Sequence, residues 1–347
     1  MPPRCALVGS CLLLLCTSRP WKLGPFDAAL HPFGEVDELG MVGESAEAWA
    51  LRTAIQTAAA QDVHALIEGQ SGAGKELVAQ GIHASSRRAR RPIVSRNAAT
   101  FPETLIDAEL FGNAANYPNP GMRPRLGLIG EADGSTLFLD EIGELSDALQ
   151  AHLLRVLDNG EYQRLGESKA RQSDFRFIGA TRRPAEVLRH DLLARLRVRI
   201  AVPGLNDRRE DVPLLARYLL REIAASEPGV ADRFFEGGGW RGTPRISPAL
   251  VRLLVQYDYT MNVRELETLL RTAIADSPGN FLEASERLVQ TPKAGTTGPV
   301  DPGVIPPEVI QECLDRHDGR QAEVWRELGL SSRHVLARLI KKHGLRT

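Results

Sequence analysis

From residue 41 onward the apolar positions alternate between short continuous runs and helically spaced stripes. A stripe with Ala46, Trp49, Ala50, Leu51 and Ile55 leads to Val63-His64-Ala65-Leu66-Ile67, a run of strand length, after which Leu77, Val78 and Ile82 recur at helical spacing. The rhythm continues with a strand at 92–95, a helix at 105–110, a strand at 137–139, a helix carrying Leu149, Leu153, Leu154 and Leu157, and strands at 175–180 and 198–202. Such alternation predicts an α/β fold, a parallel sheet covered by helices on both faces. After Asp207-Arg208-Arg209-Glu210-Asp211 the strand pattern stops, and 212–225, 248–257 and 263–275 read as the helices of a separate small domain. Residues 277–304 are crowded with Gly, Pro and Thr and read as a linker. Helical periodicity then returns at Ile305, in three short segments at 306–316, 320–328 and 332–342.

Composition narrows the picture modestly. The 347 residues suffice for two or three compact units, and 43% hydrophobic with 25% charged residues is ordinary for a soluble globular chain. A formal net charge of -1 gives no global attraction to nucleic acid, so DNA binding requires a local basic patch. Cys5, Cys11 and Cys16 crowd the start and Cys313 stands alone, which is neither a disulfide framework nor a zinc spacing and fits a reduced, cytoplasmic compartment. Arg4 followed by the apolar stretch 6–16 has the look of a secretory signal, too short to span a bilayer as a helix. A remnant of an upstream domain, such as a sensory one, or an uncertain start codon is preferred over export. Residues 21–40, with Gly24, Pro25, Pro32 and Gly34, read as a linker.

The densest chemistry lies in Gly69-Gln70-Ser71-Gly72-Ala73-Gly74-Lys75-Glu76, between the first predicted strand and the next helix. Gly72 and Gly74 let successive backbone N–H groups turn inward, the helix N-terminus adds its dipole, and Lys75 can reach the outer phosphates of a nucleotide. A glycine-rich turn is the plainer reading, and Glu76 stands where the generic motif has Ser or Thr. The second signal is Thr136-Leu137-Phe138-Leu139-Asp140-Glu141, an apolar strand ending in two carboxylates. Asp140 there can hold Mg2+ and Glu141 can orient an attacking water. A charged pair at a helix start is the alternative. Together, in this order, the two elements indicate an ATP-binding P-loop domain.

With these motifs placed, residues 42–270 resemble the AAA+ domain of bacterial enhancer-binding proteins, which remodel RNA polymerase carrying sigma-54. That family's P-loop has Glu after the Lys, as Glu76 does here. Glu109-Leu110-Phe111-Gly112, the stretch from Asp133 to Leu145, and Asn262-Val263-Arg264-Glu265-Leu266 are close to the family's wording. The resemblance implies that Asn97 restrains the catalytic Glu141 and that Arg264 is the sensor II residue. It also implies that Arg189 and Arg195 act as arginine fingers from a neighbouring subunit, so that hydrolysis depends on a homo-oligomeric ring, a hexamer by analogy. Without the resemblance, these two arginines read as parts of a solvated helix.

The sequence departs from the family at three places. Asn116-Tyr117-Pro118-Asn119-Pro120-Gly121 occupies the positions of the GAFTGA loop that touches sigma-54. Its length is kept and its chemistry is not: Pro118 fixes the backbone and lacks an N–H donor, which predicts a stiffer loop with a different surface. At sensor I the family's Ala-Thr-Asn reads Ala180-Thr181-Arg182, an unusual internal cation. Tyr259-Thr260-Met261 replaces a Trp-Pro-Gly and reads as a structural change.

At the C-terminus, Gly329-Leu330-Ser331 separates two helical segments with helix-turn-helix spacing. Residues 331–347 hold five Lys or Arg and no acid. Ser332, Arg333, His334, Ala337, Arg338 and Lys341 are the candidate DNA contacts, with Arg333, His334, Ala337, Arg338 and Lys341 opposite the apolar stripe. The tail resembles the Fis-type module of enhancer-binding proteins, which binds palindromic, enhancer-like sites as a dimer; a small helical cap with a solvated basic face is the alternative.

The expected organisation is an N-terminal extension at 1–40, an AAA+ α/β subdomain at 41–207, a helical lid at 208–276, a linker at 277–304 and a three-helix helix-turn-helix domain at 305–347. The leading functional expectation is a cytoplasmic, ATP-dependent, DNA-binding regulator that remodels sigma-54 RNA polymerase and has no membrane partner. A DNA-binding regulator or repressor that uses ATP as a switch and does not engage sigma-54 is the alternative. A P-loop chaperone or protease subunit is a third option, disfavoured by the basic tail.

Overall fold

The computed structural model describes residues 4–8, 11–15, 33–101, 105–289 and 307–316, together with Val324, Leu336, Leu339, Ile340 and His343. Near the start, β1 (Arg4–Val8) pairs antiparallel with β2 (Cys11–Leu15), Arg4 opposite Leu15 and Val8 opposite Cys11. The apolar stretch that resembles a signal core is therefore extended at these positions. Gly9-Ser10 between two five-residue runs is a hairpin signal in the sequence.

The α/β subdomain runs α1 (Ala46–Ala60), β3 (Ala65–Glu68), α2 (Lys75–Ala84), β4 (Val94–Asn97), α3 (Ile106–Phe111), α4 (Gly127–Glu131) and β5 (Thr136–Asp140). It continues with α5 (Asp147–Asn159), the short antiparallel pair β6 (Glu161–Tyr162) and β7 (Arg171–Gln172), β8 (Arg176–Thr181), α6 (His190–Arg195) and β9 (Val198–Ala201). The five long strands form one parallel sheet in the order β4-β5-β8-β3-β9. Alternate strand residues feed two cores. Leu66, Leu137, Leu139 and Phe177 join the cluster with residues of α3 to α6, while Ala65, Ile67, Phe138, Ile178 and Ala180 join that with α1 and α2. Burial on both faces is why these strands read as unbroken apolar runs.

Arg176 is buried inside β8 because its guanidinium donates to the carbonyls of Ala58 at 2.8 Å and Val63 at 3.1 Å, closing the C-terminal end of α1. Ser45 caps the other end of α1, accepting from the Ala48 amide at 3.0 Å, and is itself held by Asp211. The described part of the expected N-terminal linker, 33–40, is not free of the domain. Asp37 pairs with the buried Arg52 at 2.6 Å, Glu35 with Arg217 and Arg221 at 3.0 Å each, and Phe33 packs on the lid core. Turn residues gave this stretch a linker composition, while its acids were matched to partners far along the chain.

The lid consists of α7 (Val212–Ser226), α8 (Pro228–Phe234), α9 (Pro248–Gln256), α10 (Asn262–Asp276) and α11 (Glu286–Val289) around one apolar cluster. Here α8, seven residues long, lacks a readable stripe. Residues 277–289, expected as linker, belong to the lid: Leu282 and Leu288 are buried in its core and Ile246 bridges Leu282. Their Gly and Pro make turns that return the chain to the core.

The chain divides into two compact units, 1–289 and 290–347. In the second, α12 (Pro307–Arg316) contributes Ile310, Cys313 and Leu314 to a cluster with Val324, Leu336 and Leu339, the apolar positions of the predicted tail helices. The DNA-contact candidates Ser332, Arg333, His334, Ala337, Arg338 and Lys341 lie outside the described residues. Among the described residues no helix is long and apolar enough to cross a membrane.

Candidate functional site

The glycine loop leaves the C-terminal end of β3, the fourth strand of the five-stranded sheet, and runs into α2. Gly72 and Gly74 both have positive φ, 73° and 104°, which bends the loop back on itself. Lys75 opens α2 and is buried; its Nζ donates to the carbonyls of Gly69 at 3.0 Å and Gln70 at 3.4 Å. Glu76 is in the first turn of α2, where a carboxylate suits the helix dipole, and accepts from Gln80 at 3.4 Å. Arg208, buried behind the loop, donates to the Ala73 carbonyl at 3.4 Å, and burial lowers its basicity.

Across β8 from the loop, β5 delivers Asp140 and Glu141. The Asp140 Oδ1 accepts from the Glu141 amide at 2.9 Å. Glu141 has left-handed backbone angles, φ 56° and ψ 44°, an uncommon conformation for a side chain of this type and one that clusters at functional sites. Its Oε1 lies 3.8 Å from Lys75 Nζ, so the structure brings together the cation and the carboxylate singled out from sequence. Its Oε2 accepts from the Arg182 amide at 3.3 Å and lies 3.8 Å from Arg182 Nε. Asn97 pairs in register with Asp140, but its side-chain oxygen accepts from the Ala99 amide at 2.8 Å, capping the turn that follows β4. The contacts of the Glu141 carboxylate thus run to Lys75 and Arg182.

The lid closes over the loop through the start of α10. Val263 donates its amide to the Gly72 carbonyl at 3.2 Å, and a Cβ at Gly72 would strike the Met261 carbonyl oxygen. Arg264 Nη1 reaches Ser71 Oγ at 3.4 Å. Asn262, fully buried with φ 52°, donates to the carbonyl of Ser71 at 3.0 Å and to Gln70 Oε1 at 3.2 Å, while accepting from the Leu205 amide at 2.7 Å. Sequence reading had Asn262 only as a neighbour of Arg264; nothing local marks a buried Asn as the clamp between lid and loop.

Glu265 holds the preceding turn, accepting from the amides of Thr260 at 2.7 Å and Met261 at 2.9 Å and from the Tyr257 hydroxyl at 2.8 Å. Burial pushes its carboxyl up, but those donors outweigh it and leave the group below the usual range. The Tyr257 hydroxyl is pushed up to about 12 by burial and by Glu265. Tyr259-Thr260-Met261 is therefore a tied turn beneath the loop.

Arg189 and Arg195 sit at the two ends of α6, apart from the loop contacts just described. Each is half-exposed and paired within the chain, Arg189 with Asp191 at 2.8 Å and Arg195 with Asp158. Either must leave its carboxylate to reach another subunit.

The segment at Asn116 to Gly121 is a closed loop. Asn113, buried at its base, directs its side-chain amide at the carbonyls of Ala114, Tyr117 and Arg123 at 2.9, 3.2 and 3.1 Å. The Asn116 amide donates to Met122 O at 2.9 Å, and Asn116 Oδ1 accepts from Gly121 N at 2.9 Å. The Tyr117 ring lies so close over Gly166 that a Cβ there would enter it, yet Tyr117 and Met122 stay exposed. The stiffness expected from Pro118 is thus accompanied by asparagine side chains, whose contribution was not legible.

Residues 41–202 match the Sigma-54 interaction domain family, and residues 206–294 the AAA+ ATPase lid domain family. The chain is 37% identical over 320 residues to the transcriptional regulatory protein ZraR of Salmonella typhimurium, a match covering 89% of this chain and 70% of ZraR. It is 36% identical over 316 residues to the Nif-specific regulatory protein of Klebsiella pneumoniae, covering 86% of this chain and 58% of that protein. The crystal structure of NtrX from Brucella abortus in complex with ADP superimposes with a TM-score of 0.62 at 29% identity, covering 89% of this chain and 70% of NtrX. With the lid seated on the glycine loop and Lys75 facing Glu141, these similarities identify the chain as a member of the sigma-54-dependent family of transcriptional regulators built on an AAA+ ATPase domain.

Proposed function

We propose that this chain binds ATP with Mg2+ between the glycine loop and the lid, hydrolyses it in a ring of identical subunits, and uses the cycle to act on sigma-54 RNA polymerase from a DNA site. The observation that carries this reading is the Lys75 to Glu141 approach of 3.8 Å, made across the sheet by residues far apart in sequence. Backbone amides of the glycine loop beyond Gly69, whose own amide donates to the Thr181 carbonyl at 3.1 Å, bind the phosphates, and Lys75 turns from the Gly69 and Gln70 carbonyls to the outer phosphates.

Asp140, with Glu141 beside it, fits a magnesium ion. Two adjacent carboxylates are too few for an all-protein cage, and among the described residues no group of three or more His, Cys, Asp or Glu could hold a metal. One or two carboxylates completed by phosphate and water is the set magnesium takes, and the ion supplies neutralisation of phosphate charge. Glu141 orients the water, Arg264 follows the nucleotide from the lid, and Arg189 and Arg195 serve the neighbouring subunit's site. Asn97, adjacent to Asp140 in register, lines the same edge. Ser332, Arg333, His334, Ala337, Arg338 and Lys341 contact a palindromic DNA site, with affinity falling steeply with salt.

The test is nucleotide binding and turnover in the full chain. Glu141→Gln is expected to retain ATP and lose turnover, and Lys75→Ala to lose ATP. Parental turnover in Glu141→Gln rejects the assignment. The closed loop over Asn116 to Gly121 supports a second reading, a DNA-bound regulator that uses ATP as a switch without engaging sigma-54. Capture of sigma-54 in the presence of a transition-state nucleotide analogue supports the first reading; firm DNA binding without capture supports the second.

A further inference from the structure

Arg182 directly follows β8, the strand lying between the glycine loop's β3 and the carboxylate-bearing β5. Two of its donors meet one oxygen of Glu141, the backbone amide at 3.3 Å and Nε at 3.8 Å. Its Nη2 reaches Glu144 Oε1 at 3.3 Å. Arg183 holds the other oxygen of Glu144 more tightly, at 2.6 Å, and donates to the Gly143 carbonyl at 3.2 Å. Arg183 is thus the fixed member of the pair. The Arg182 side chain, 56% exposed and held only by longer contacts, is the one that can redirect.

Glu141 is therefore bracketed by cations, Lys75 on one oxygen and Arg182 on the other, each 3.8 Å away. Asn97, given this restraining role by resemblance, uses its side-chain oxygen to accept from the Ala99 amide, so only its Nδ2 could donate to a carboxylate. Building on the ATPase reading above, we propose that Arg182 is the positioning residue for Glu141: it holds the carboxylate back, and the outermost phosphate of bound ATP competes for the guanidinium, so that Glu141 is free for only part of the bound lifetime. A phosphate offers a charge-assisted, forked partner to a guanidinium, stronger than a long contact to a half-solvated carboxylate. An asparagine at this position could donate only a neutral hydrogen bond, a weaker hold on either partner than a guanidinium's. Arg182 acts on turnover through Glu141, and by linkage its exchange onto phosphate adds to nucleotide affinity only the difference between the two pairs.

The experiment is steady-state ATP hydrolysis by the full chain, comparing the parent with Arg182→Asn and Arg182→Lys, alongside equilibrium binding of a fluorescent ATP analogue. Arg182→Asn is expected to raise kcat by about two- to fivefold, the range of an exposed ion pair, with KM and the analogue's dissociation constant changing by no more than that range. Arg182→Lys, which keeps a cation, is expected to stay near the parent. An Arg182→Asn chain with unchanged or lowered kcat beside an active parent overturns this proposal alone. So does a rise of about tenfold or more in KM or in the analogue's dissociation constant without a rise in kcat, which makes Arg182 a phosphate ligand and no restraint on Glu141. If parent and variant both bind the analogue and neither turns over ATP, the ATPase reading falls and this proposal with it; turnover that appears only in Arg182→Asn supports both.

Discussion

Asn262 donates its side-chain amide to the carbonyl of Ser71 at 3.0 Å, joining the first residue of α10 to the glycine loop. The same side chain accepts from the Leu205 amide, so three segments meet at one buried residue held at positive φ. Asn is among the few residues that tolerate this backbone region, and its amide supplies both donor and acceptor. Asn262→Ala leaves the Leu205 amide and the Ser71 carbonyl without these bonds. It is expected to destabilise the chain by about 2–4 kcal/mol and to weaken nucleotide binding. Denaturant unfolding and nucleotide titration test this; a variant as stable as the parent removes the clamp role.

The loop over Asn116 to Gly121 depends on Asn113 in the same way. Removing its amide group in Asn113→Ala takes away the bonds to the Ala114, Tyr117 and Arg123 carbonyls at the base of the loop. Hydrogen exchange at the Asn116 and Met122 amides, bonded to Met122 and Asn119 carbonyls respectively, is expected to accelerate by about tenfold or more. Unaltered protection means that the loop is held by Tyr117 and Pro118 instead. The same variant examines the partner question, because with a parent that captures no sigma-54, capture by the opened loop identifies rigidity as the barrier.

His64 and His83 are neutral rings fixed by their partners. His64 Nδ1 accepts from the Phe177 amide at 3.0 Å, so Nε2 faces the Leu157 carbonyl at 3.3 Å as a donor. His83 Nε2 donates to the Arg91 carbonyl at 2.9 Å, leaving Nδ1 to accept from the Thr136 hydroxyl at 2.9 Å, which ties the P-loop helix to β5. Burial lowers both values below the ordinary 6.5, with Arg176 adding to the effect. Below pH 6.5 the unfolded rings take up protons that the folded ones resist, so stability falls as pH drops through that value. Thermal melting between pH 7.5 and about 5 is expected to show this loss, with a shallower slope in His83→Gln. An unchanged slope in that variant assigns the loss to other groups.

Much of the nucleotide site was legible from short stretches. The run at 63–67, the glycines after it and the apolar strand ending in Asp140-Glu141 each owe their pattern to local needs: burial on both faces, positive φ, and a helix N-terminus. What escaped notice lies where a residue answers to a distant partner. Asp37 reads as part of a linker until Arg52 is seen buried against it, and Leu282 and Leu288 read as linker residues until the lid core closes around them. Arg182 reads as a substituted sensor position, with nothing in Ala180-Thr181-Arg182 to say that its guanidinium meets Glu141.

By itself, then, the sequence determined the parallel sheet, the glycine loop, the carboxylates opposite it and the family to which they belong, because hydrophobic period and glycine placement act over a few neighbouring residues. Tertiary structure alone decided how those parts are restrained. The clamp at Asn262, the closure of the loop by Asn113 and the bracketing of Glu141 between Lys75 and Arg182 each rest on hydrogen bonds or ion pairs whose distances follow from the packing of whole strands and helices.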